Sequence, residues 1–401
     1  MNKKQKKQLR FIIIICAIII VVEILYVSYC VFYRGKKSIY FEGINAVETS
    51  GDSFVCVGSN NDNDNHYEKA KISMFNNKRE KTFEKLYNVG YNSAFFGVLT
   101  DGDDSVAVGS YEKTEDDNKN LVRKALIVKY DKEGNVLFEN DFGVLDNSKF
   151  TSIIKYDSDY YVTGQSIYKN TRVGDKDGGA ILAKYDKDGN LLWNITYGSS
   201  KSAIFNDLII VGDYIYAVGT DENYIGVIVK FDMDGNYIDY NDYKTTDSIG
   251  FSGIVNINNY IYVSGAVKSG YPDTDAIIVK YNLKCRYIDQ VIYSGKGVER
   301  FNKLIVDDQN NLVVIGTMGI VKKSSKNNYG EYNYDGIIGK YNTRLKNIDL
   351  VTYGTERDDY FNDVINFGGN YLVVGYSSYE DGSYMSKFIK YSKALKVLEV
   401  G

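Results

Sequence analysis

The chain has 401 residues, 44% of them hydrophobic and 25% charged, with 38 Tyr, 37 Gly, one Pro and one His. That is globular composition, too apolar for disorder and long enough for one large β domain or two ordinary ones. Beyond residue 37 there are 40 cations against 51 anions, an acid surplus that repels phosphate backbones and argues against a nucleic-acid partner.

The first element is unlike the rest. Residues 1–10 carry Lys3, Lys4, Lys6, Lys7 and Arg10, and residues 11–33 (FIIIICAIIIVVEILYVSYCVFY) are almost wholly apolar. A helix of that length is about 34 Å long, enough to cross a bilayer. No small-x-small cleavage site precedes Arg34, so the segment is expected to stay as a signal anchor. The cations before it outnumber Arg34, Lys36 and Lys37 after it, which puts residues 1–10 in the cytoplasm and the remainder outside the cell membrane. Glu23 within the span is either tolerated or paired with another helix. Residues 34–43 are expected to be a juxtamembrane linker or a closing strand.

From Ile44 onward the chain repeats itself at a spacing of propeller blades. A Gly ends a hydrophobic run at Gly58, Gly109, Gly164, Gly219, Gly265, Gly316 and Gly375. An apolar residue stands 14 or 15 places before each: Ile44, Phe95, Phe150, Phe205, Phe251, Phe301 and Phe361. Next comes a small residue (Ala70, Ala125, Ala180, Gly226, Ala276, Gly336, Ser386), followed by a Lys–aromatic pair such as Lys184–Tyr185. Met74 takes the Lys place in the first copy.

Each copy reads as four strands. In the fourth, FNDLII, YIYAVG, GVIVKF and YIDYNDY are separated by VGD, a loop and DMDGN. The Gly-containing turns are hairpin chemistry. The third strand is continuously apolar, as a strand buried on both faces must be. Its Lys is expected to lay its stem on the neighbouring sheet and reach an acid or carbonyl at the edge, a structural role. The fixed small residue suits strands converging near a crowded axis.

The stretches GGAILAKYDKDGNLLWNITYG and YDGIIGKYNTRLKNIDLVTYG resemble the bacterial seven-bladed β-propeller repeat family. The resemblance covers Ile44 to Gly401 and is strongest in copies two to four. The other copies lack the DxDGN turn, reading NNKRE, NLKCR, NTRLK and SKALK, and the repeat's Trp survives only as Trp193. With the readings above, the expectation is an all-β, seven-bladed propeller of four-stranded antiparallel blades over residues 44–401, preceded by one transmembrane helix. The resemblance itself implies the propeller fold and a surface or secreted setting. It brings no catalytic residues.

Function is expected on the loops between second and third strands, which vary most in length. They offer Tyr168, Arg172, Lys322, Lys323, Tyr329, Tyr332 and Tyr334 as contacts to a protein or an envelope polymer. The DKDGN turns do not read as calcium loops, because Lys129, Lys184 and Lys230 occupy the first ligand position. His66 sits in a polar loop, and Cys56 and Cys285 are isolated, so no catalytic triad, metal site or cofactor site is written here. The expectation is a non-catalytic, membrane-tethered binding propeller. The alternative is an extracytoplasmic polysaccharide hydrolase or lyase using acids on the same face.

Overall fold

The computed structural model describes residues 42–61, 67–114, 121–142, 147–167, 178–198, 203–243, 249–268, 273–295, 297–321, 332–379 and 383–401. The expected span over residues 11–33, Glu23 and residues 34–41 lie outside the described residues. Among the described residues no helix is long and apolar enough to cross a membrane.

All described regular structure is β. The first sheet is β1 (Glu42–Ser50), β2 (Ser53–Asn61), β3 (Glu68–Phe75) and β4 (Lys81–Leu86). A longer sheet follows, from β5 (Tyr91–Asp101), β6 (Asp104–Thr114), β7 (Leu121–Tyr130) and β8 (Val136–Phe142) to β9 (Asn147–Tyr156), β10 (Asp159–Ile167), β11 (Gly178–Tyr185) and β12 (Leu191–Tyr197). Next come β13 (Ile204–Val211), β14 (Tyr214–Thr220), β15 (Gly226–Asp232) and β16 (Tyr237–Asp242). The fourth sheet is β17 (Ile249–Ile257), β18 (Tyr260–Lys268), β19 (Thr274–Asn282) and β20 (Tyr287–Tyr293). The last two are β21 (Glu299–Val306), β22 (Leu312–Val321), β23 (Tyr332–Tyr341) and β24 (Asn347–Tyr353), then β25 (Asp359–Phe367), β26 (Asn370–Ser378), β27 (Tyr384–Tyr391) and β28 (Val397–Val400).

The expectation of seven separate blades is therefore corrected. Five four-stranded antiparallel blades stand as separate sheets, and the other eight strands form one continuous sheet. The cause is local: β7 and β9 meet in parallel through Arg123 and Asn147, fusing β5–β8 with β9–β12. Among the described residues, no strand from the amino end enters the last sheet. It is completed by β28, and the first sheet meets β25 and β26 through an apolar cluster of Ile44, Val47, Phe54 and Phe75 with Ile365, Leu372 and Val374.

The repeat landmarks have direct structural reasons. Each innermost strand carries an extra residue beside its landmark, as between Phe205 and Asp207 or Phe361 and Asp363. That bulge pushes the carbonyl before the landmark against the second strand. A Cβ on Gly219 would lie 1.8 Å from the Ile204 oxygen, and one on Gly375 1.8 Å from that of Tyr360. The landmark Gly is therefore required by close approach.

The landmark aromatic then meets the aromatic after Lys edge-on, as in Phe205–Phe231 and Phe361–Tyr391. It also packs on the last aromatic of the preceding sheet, as in Tyr197–Phe205 and Tyr353–Phe361. The small residue makes room for this ring: a Cβ on Gly336 would sit 2.6 Å from Phe361. Crowding there comes from the next sheet's aromatic, not from convergence on an axis.

The bulge residue itself joins neighbours. The amide of Asn45 donates to the Phe95 carbonyl at 2.8 Å, Asn206 to Phe251 at 2.7 Å and Asn302 to Phe361 at 2.7 Å. Asn362 donates to the Ile44 carbonyl at 2.8 Å, which ties the last sheet to the first. Fourth strands are mostly exposed, while third strands such as β11 and β15 are buried on both faces.

Candidate functional site: an acidic tyrosine ridge and a charged channel

The molecule has two ends. Turns within the first and last strand pairs gather at one, which we call the turn end. Second-to-third-strand loops and connections between sheets gather at the other, the loop end.

At the turn end, the Asp-x-x-Gly-Asn turns close on themselves. The Asp186 carboxylate accepts the backbone N–H groups of Asp188 and Asn190 and the Asn190 amide. Asp131 and Asp232 do the same. The copies without this motif keep the turn. Asn282 and Asn342 replace Asp, and Cys285 and Leu345 take the position of Gly at φ 52° and 58°. Both side chains are buried, so packing offsets the left-handed backbone.

The repeated lysines also end here. Lys129 and Lys340 pair with Asp101 and Asp307, both at 2.7 Å, and Lys184 with Asp159 at 3.0 Å. Lys230 and Lys280 reach the carbonyls of Leu283 and Thr343. Burial alone would raise the Asp307 pKa, but hydrogen bonds from Lys340 and the Asn311 backbone hold it down at about 2. Asp101 is likewise well below the usual carboxylate range, because Lys129, Lys155 and Tyr160 outweigh its burial.

The loop end is built differently. Of the loop residues expected to make contacts, Tyr168, Arg172, Lys322, Lys323 and Tyr329 lie outside the described residues, as does His66. Tyr332 and Tyr334 are described. They alternate on one side of β23, with ring centres 6.1 Å apart. Tyr334 stacks on Tyr360 at 5.5 Å, Tyr360 stacks on its cross-strand partner Tyr376 at 4.8 Å, and Tyr384 meets Tyr376 edge-on at 5.2 Å. All five are half-buried. The result is one ridge running from the sheet β21–β24 onto the sheet β25–β28.

Acids line this ridge. Asp358 accepts the Tyr334 backbone N–H at 3.0 Å and the Ser378 hydroxyl at 3.3 Å. Asp359 accepts both groups of Thr355 at 2.8 Å, and Tyr332 donates its hydroxyl to Asp273 at 3.0 Å. Burial raises the Asp335 pKa, and the charges of Asp359 and Asp358 raise it further. Burial also raises Glu299, against the N–H groups of Gly295 and Gly297, with Asp275 and Asp273 adding to the effect. Beside the ridge Arg357 lies over the Tyr379 ring at 3.8 Å.

Reading the loops for contacts missed Tyr360, Tyr376 and Tyr384, because they sit at strand ends. A signal for them existed. They flank the landmarks Phe361, Gly375 and Ser386, as Tyr334 flanks Gly336, and only the last copy places tyrosines at all three offsets.

A second site runs between the innermost strands, a cavity of about 380 Å³ lined by β1, β5, β9, β13, β17, β21 and β25. Residues that follow the bulges face it, among them Ser152, Asp207, Lys303 and Asp363. Lys303 bonds Asp207 at 2.8 Å, and Asp207 also accepts the Ser152 hydroxyl at 2.7 Å. Asp363 accepts the backbone N–H of Val47 at 3.0 Å and its neighbour Val364 at 2.8 Å. Burial lifts the Asp363 pKa to about 6, with Lys303 and the two N–H groups opposing the rise. These groups are largely spent on joining sheets.

No family model matches the chain, and no curated protein does either. Solved structures do. The chain is similar to a puromycin-hydrolyzing peptidase of Mycobacterium tuberculosis, at 9% identity and a TM-score of 0.53, covering 89% of this chain and 53% of that one. It is similar to a puromycin hydrolase at 9% identity and a TM-score of 0.51, covering 89% and 54%. The chain thus spans about half the length of those two proteins. The β-propeller domain of the Trilobed protease from Pyrococcus furiosus matches at 11% identity and a TM-score of 0.48, over 90% of this chain and 96% of that one. At such identities the likeness shows the fold alone: the chain is a β-propeller.

Proposed function

We propose that this chain is a membrane-tethered binding propeller whose loop end engages a protein or envelope polymer. The apolar stretch of residues 11–33 is the anchor, and the flanking cations place the propeller outside the cell. The observation that carries the reading is the continuous stack Tyr332–Tyr334–Tyr360–Tyr376–Tyr384. Tyrosine gives large contact area with few rotamers to freeze and a polar tip for orientation, which is why it concentrates at interfaces. A stack of five half-buried rings has no comparable use in holding one sheet together. Tyr168, Arg172, Lys322, Lys323 and Tyr329 extend the contact surface in this reading.

The test is capture from native envelopes by the full-length chain beside a Tyr334→Ala/Tyr360→Ala variant. A partner retained by the parent and lost by a variant with an unchanged melting transition supports the reading. Equal capture by both would sink it. Asp335 favours one second reading. A carboxyl with a raised pKa beside Asp358 and Asp359 has the acid-and-base contrast of a glycan-cleaving pair. Turnover of an envelope glycan that disappears in Asp335→Asn would replace binding with catalysis.

A further inference from the structure

Resting on the binding reading, we infer that the loop-end ridge selects a cationic protein segment, one carrying arginine or lysine side chains that enter between the tyrosine edges and the acids beside them. The argument starts from charge pairing. Asp101, Asp159, Asp307 and Asp308 at the turn end each have a lysine within ion-pair distance. Among the described residues, Asp273, Asp335, Asp358, Asp359 and Glu299 form no ion pair. Asp359 and Glu299 are buried and bonded to Thr355, Ser377 and the Gly295 and Gly297 N–H groups, so Asp273, Asp335 and Asp358 are the acids that a segment could reach. Their charges instead push up the pKa values of Asp335 and Glu299 beyond what burial does.

The same molecule shows how its aromatic surface takes a cation. Lys230 lies 3.6 Å from the centre of the Tyr214 ring, Lys280 4.0 Å from that of Tyr260, and Lys393 4.4 Å from that of Tyr371. Each of these cations also has a carbonyl or carboxylate within reach. The ridge has both halves of this arrangement, rings and oxygen acceptors, without a described cation to complete it. Arg357, 3.8 Å from Tyr379 at the ridge's border, shows that a guanidinium fits there. A planar guanidinium can lie against a ring and donate to a carboxylate at once, so arginine should be preferred to lysine. Such a contact would lower the Asp335 pKa by supplying the missing opposite charge.

The experiment measures anisotropy of labelled deca-arginine, deca-lysine and a neutral Gly-Ser decapeptide binding to the full-length chain in detergent micelles at two salt concentrations. Deca-arginine is expected to bind, deca-lysine several-fold more weakly and the neutral peptide not at all. Tyr360→Leu, which leaves net charge unchanged, should weaken deca-arginine at least tenfold, and so should Asp358→Asn. Tyr360→Phe keeps the ring and should bind like the parent, which keeps the test decisive if the leucine variant fails to fold. Asp188→Asn, an exposed acid at the turn end, removes the same charge as Asp358→Asn and should change binding by less than twofold. Equal weakening by Asp188→Asn and Asp358→Asn, or no effect of Tyr360→Leu, would mean diffuse attraction to an acidic protein and overturns the inference. If tyrosine-dependent capture from envelopes persists while deca-arginine never binds, cation selection is wrong and the binding reading stands. If neither is seen, both fall.

Discussion

The turn-end pairs and the tyrosine ridge at the loop end of the last two sheets treat the same residue types in opposite ways. At the turn end, tyrosines and acids are tied to lysines: Asp101 receives Lys129, Lys155 and Tyr160, and Asp307 receives Lys340 and Tyr371. At the loop end, Tyr334, Tyr360 and Tyr376 stack on one another, and Asp335, Asp358 and Asp359 face each other's charge. The first arrangement lowers the pKa values of Asp101 and Asp307, and the second raises that of Asp335. A depressed pKa means that the ionised form stabilises the fold, and a raised one that it opposes it. The turn-end pairs are organised for stability, and the ridge holds acids without an ion pair among the described residues.

The largest effect should come from breaking a turn-end pair. In Lys340→Met, Asp307 stays almost wholly buried without its ammonium, keeping the Tyr371 hydroxyl at 3.0 Å and the N–H groups of Gln309 and Asn311. Removing one partner of a buried pair costs about 3–5 kcal/mol, and the remaining donors place this case near about 3 kcal/mol. Because the Asp307 pKa is about 2 in the fold, against an ordinary value of 3.8, its ionised form stabilises above pH 4. That stabilisation is lost as pH falls towards 2. Urea unfolding of parent and variant should therefore differ most near neutral pH and converge through that acid window. A difference independent of pH would show that the pair is not what holds this end.

The turns give the next two effects. A Cβ on Gly189 would lie 2.5 Å from Phe138 at a φ of 84°, so Gly189→Leu should cost about 2 kcal/mol through overpacking and strain. Leu345 occupies the equivalent place at φ 58° and is buried. Leu345→Gly relieves about 1–2 kcal/mol of left-handed backbone strain. It also gives up about 1.5–3 kcal/mol of apolar burial, for a net loss of about 1 kcal/mol. Thermal unfolding of both variants measures the asymmetry. If Leu345→Gly stabilises the chain, burial does not offset the backbone at this turn.

This turn also shows how far the sequence could be read. The repeat, the four-strand unit and the structural lysines were legible because each landmark answers to a local demand: a bulge against Gly219, a ring against Gly336, a carboxylate for Lys340. The loss of DxDGN in four copies read as loss of the turn, but Asn342 supplies the same acceptor and buried Leu345 tolerates the φ. The fused sheet was not legible, since it hangs on one pairing, Arg123 with Asn147, outside every landmark. Half the ridge was missed for a related reason. Tyr360 and Tyr376 belong to strands that pair across the sheet, and Tyr334 comes from the preceding sheet, so their stack exists only once the sheets are set side by side.

The smallest effect tests the loop end. Asp335 has a raised pKa and one described hydrogen bond, from the Asn333 amide at 3.3 Å, which an asparagine oxygen can still accept. Asp335→Asn therefore removes repulsion from Asp359 and Asp358 and little else. The melting temperature at pH 7 should rise, by an amount within about 0.5 kcal/mol because the site is half exposed. The sign of the pH dependence is opposite to that of Asp307. A carboxyl whose pKa is raised in the fold takes up its proton more readily there, so the parent recovers stability as pH falls through the raised value. The advantage of Asp335→Asn should accordingly shrink below it and vanish once the unfolded chain is protonated too. A fall in melting temperature at pH 7 would mean that the charge is already balanced within the chain. It would leave the ridge without the surplus acid that distinguishes it from the turn-end pairs.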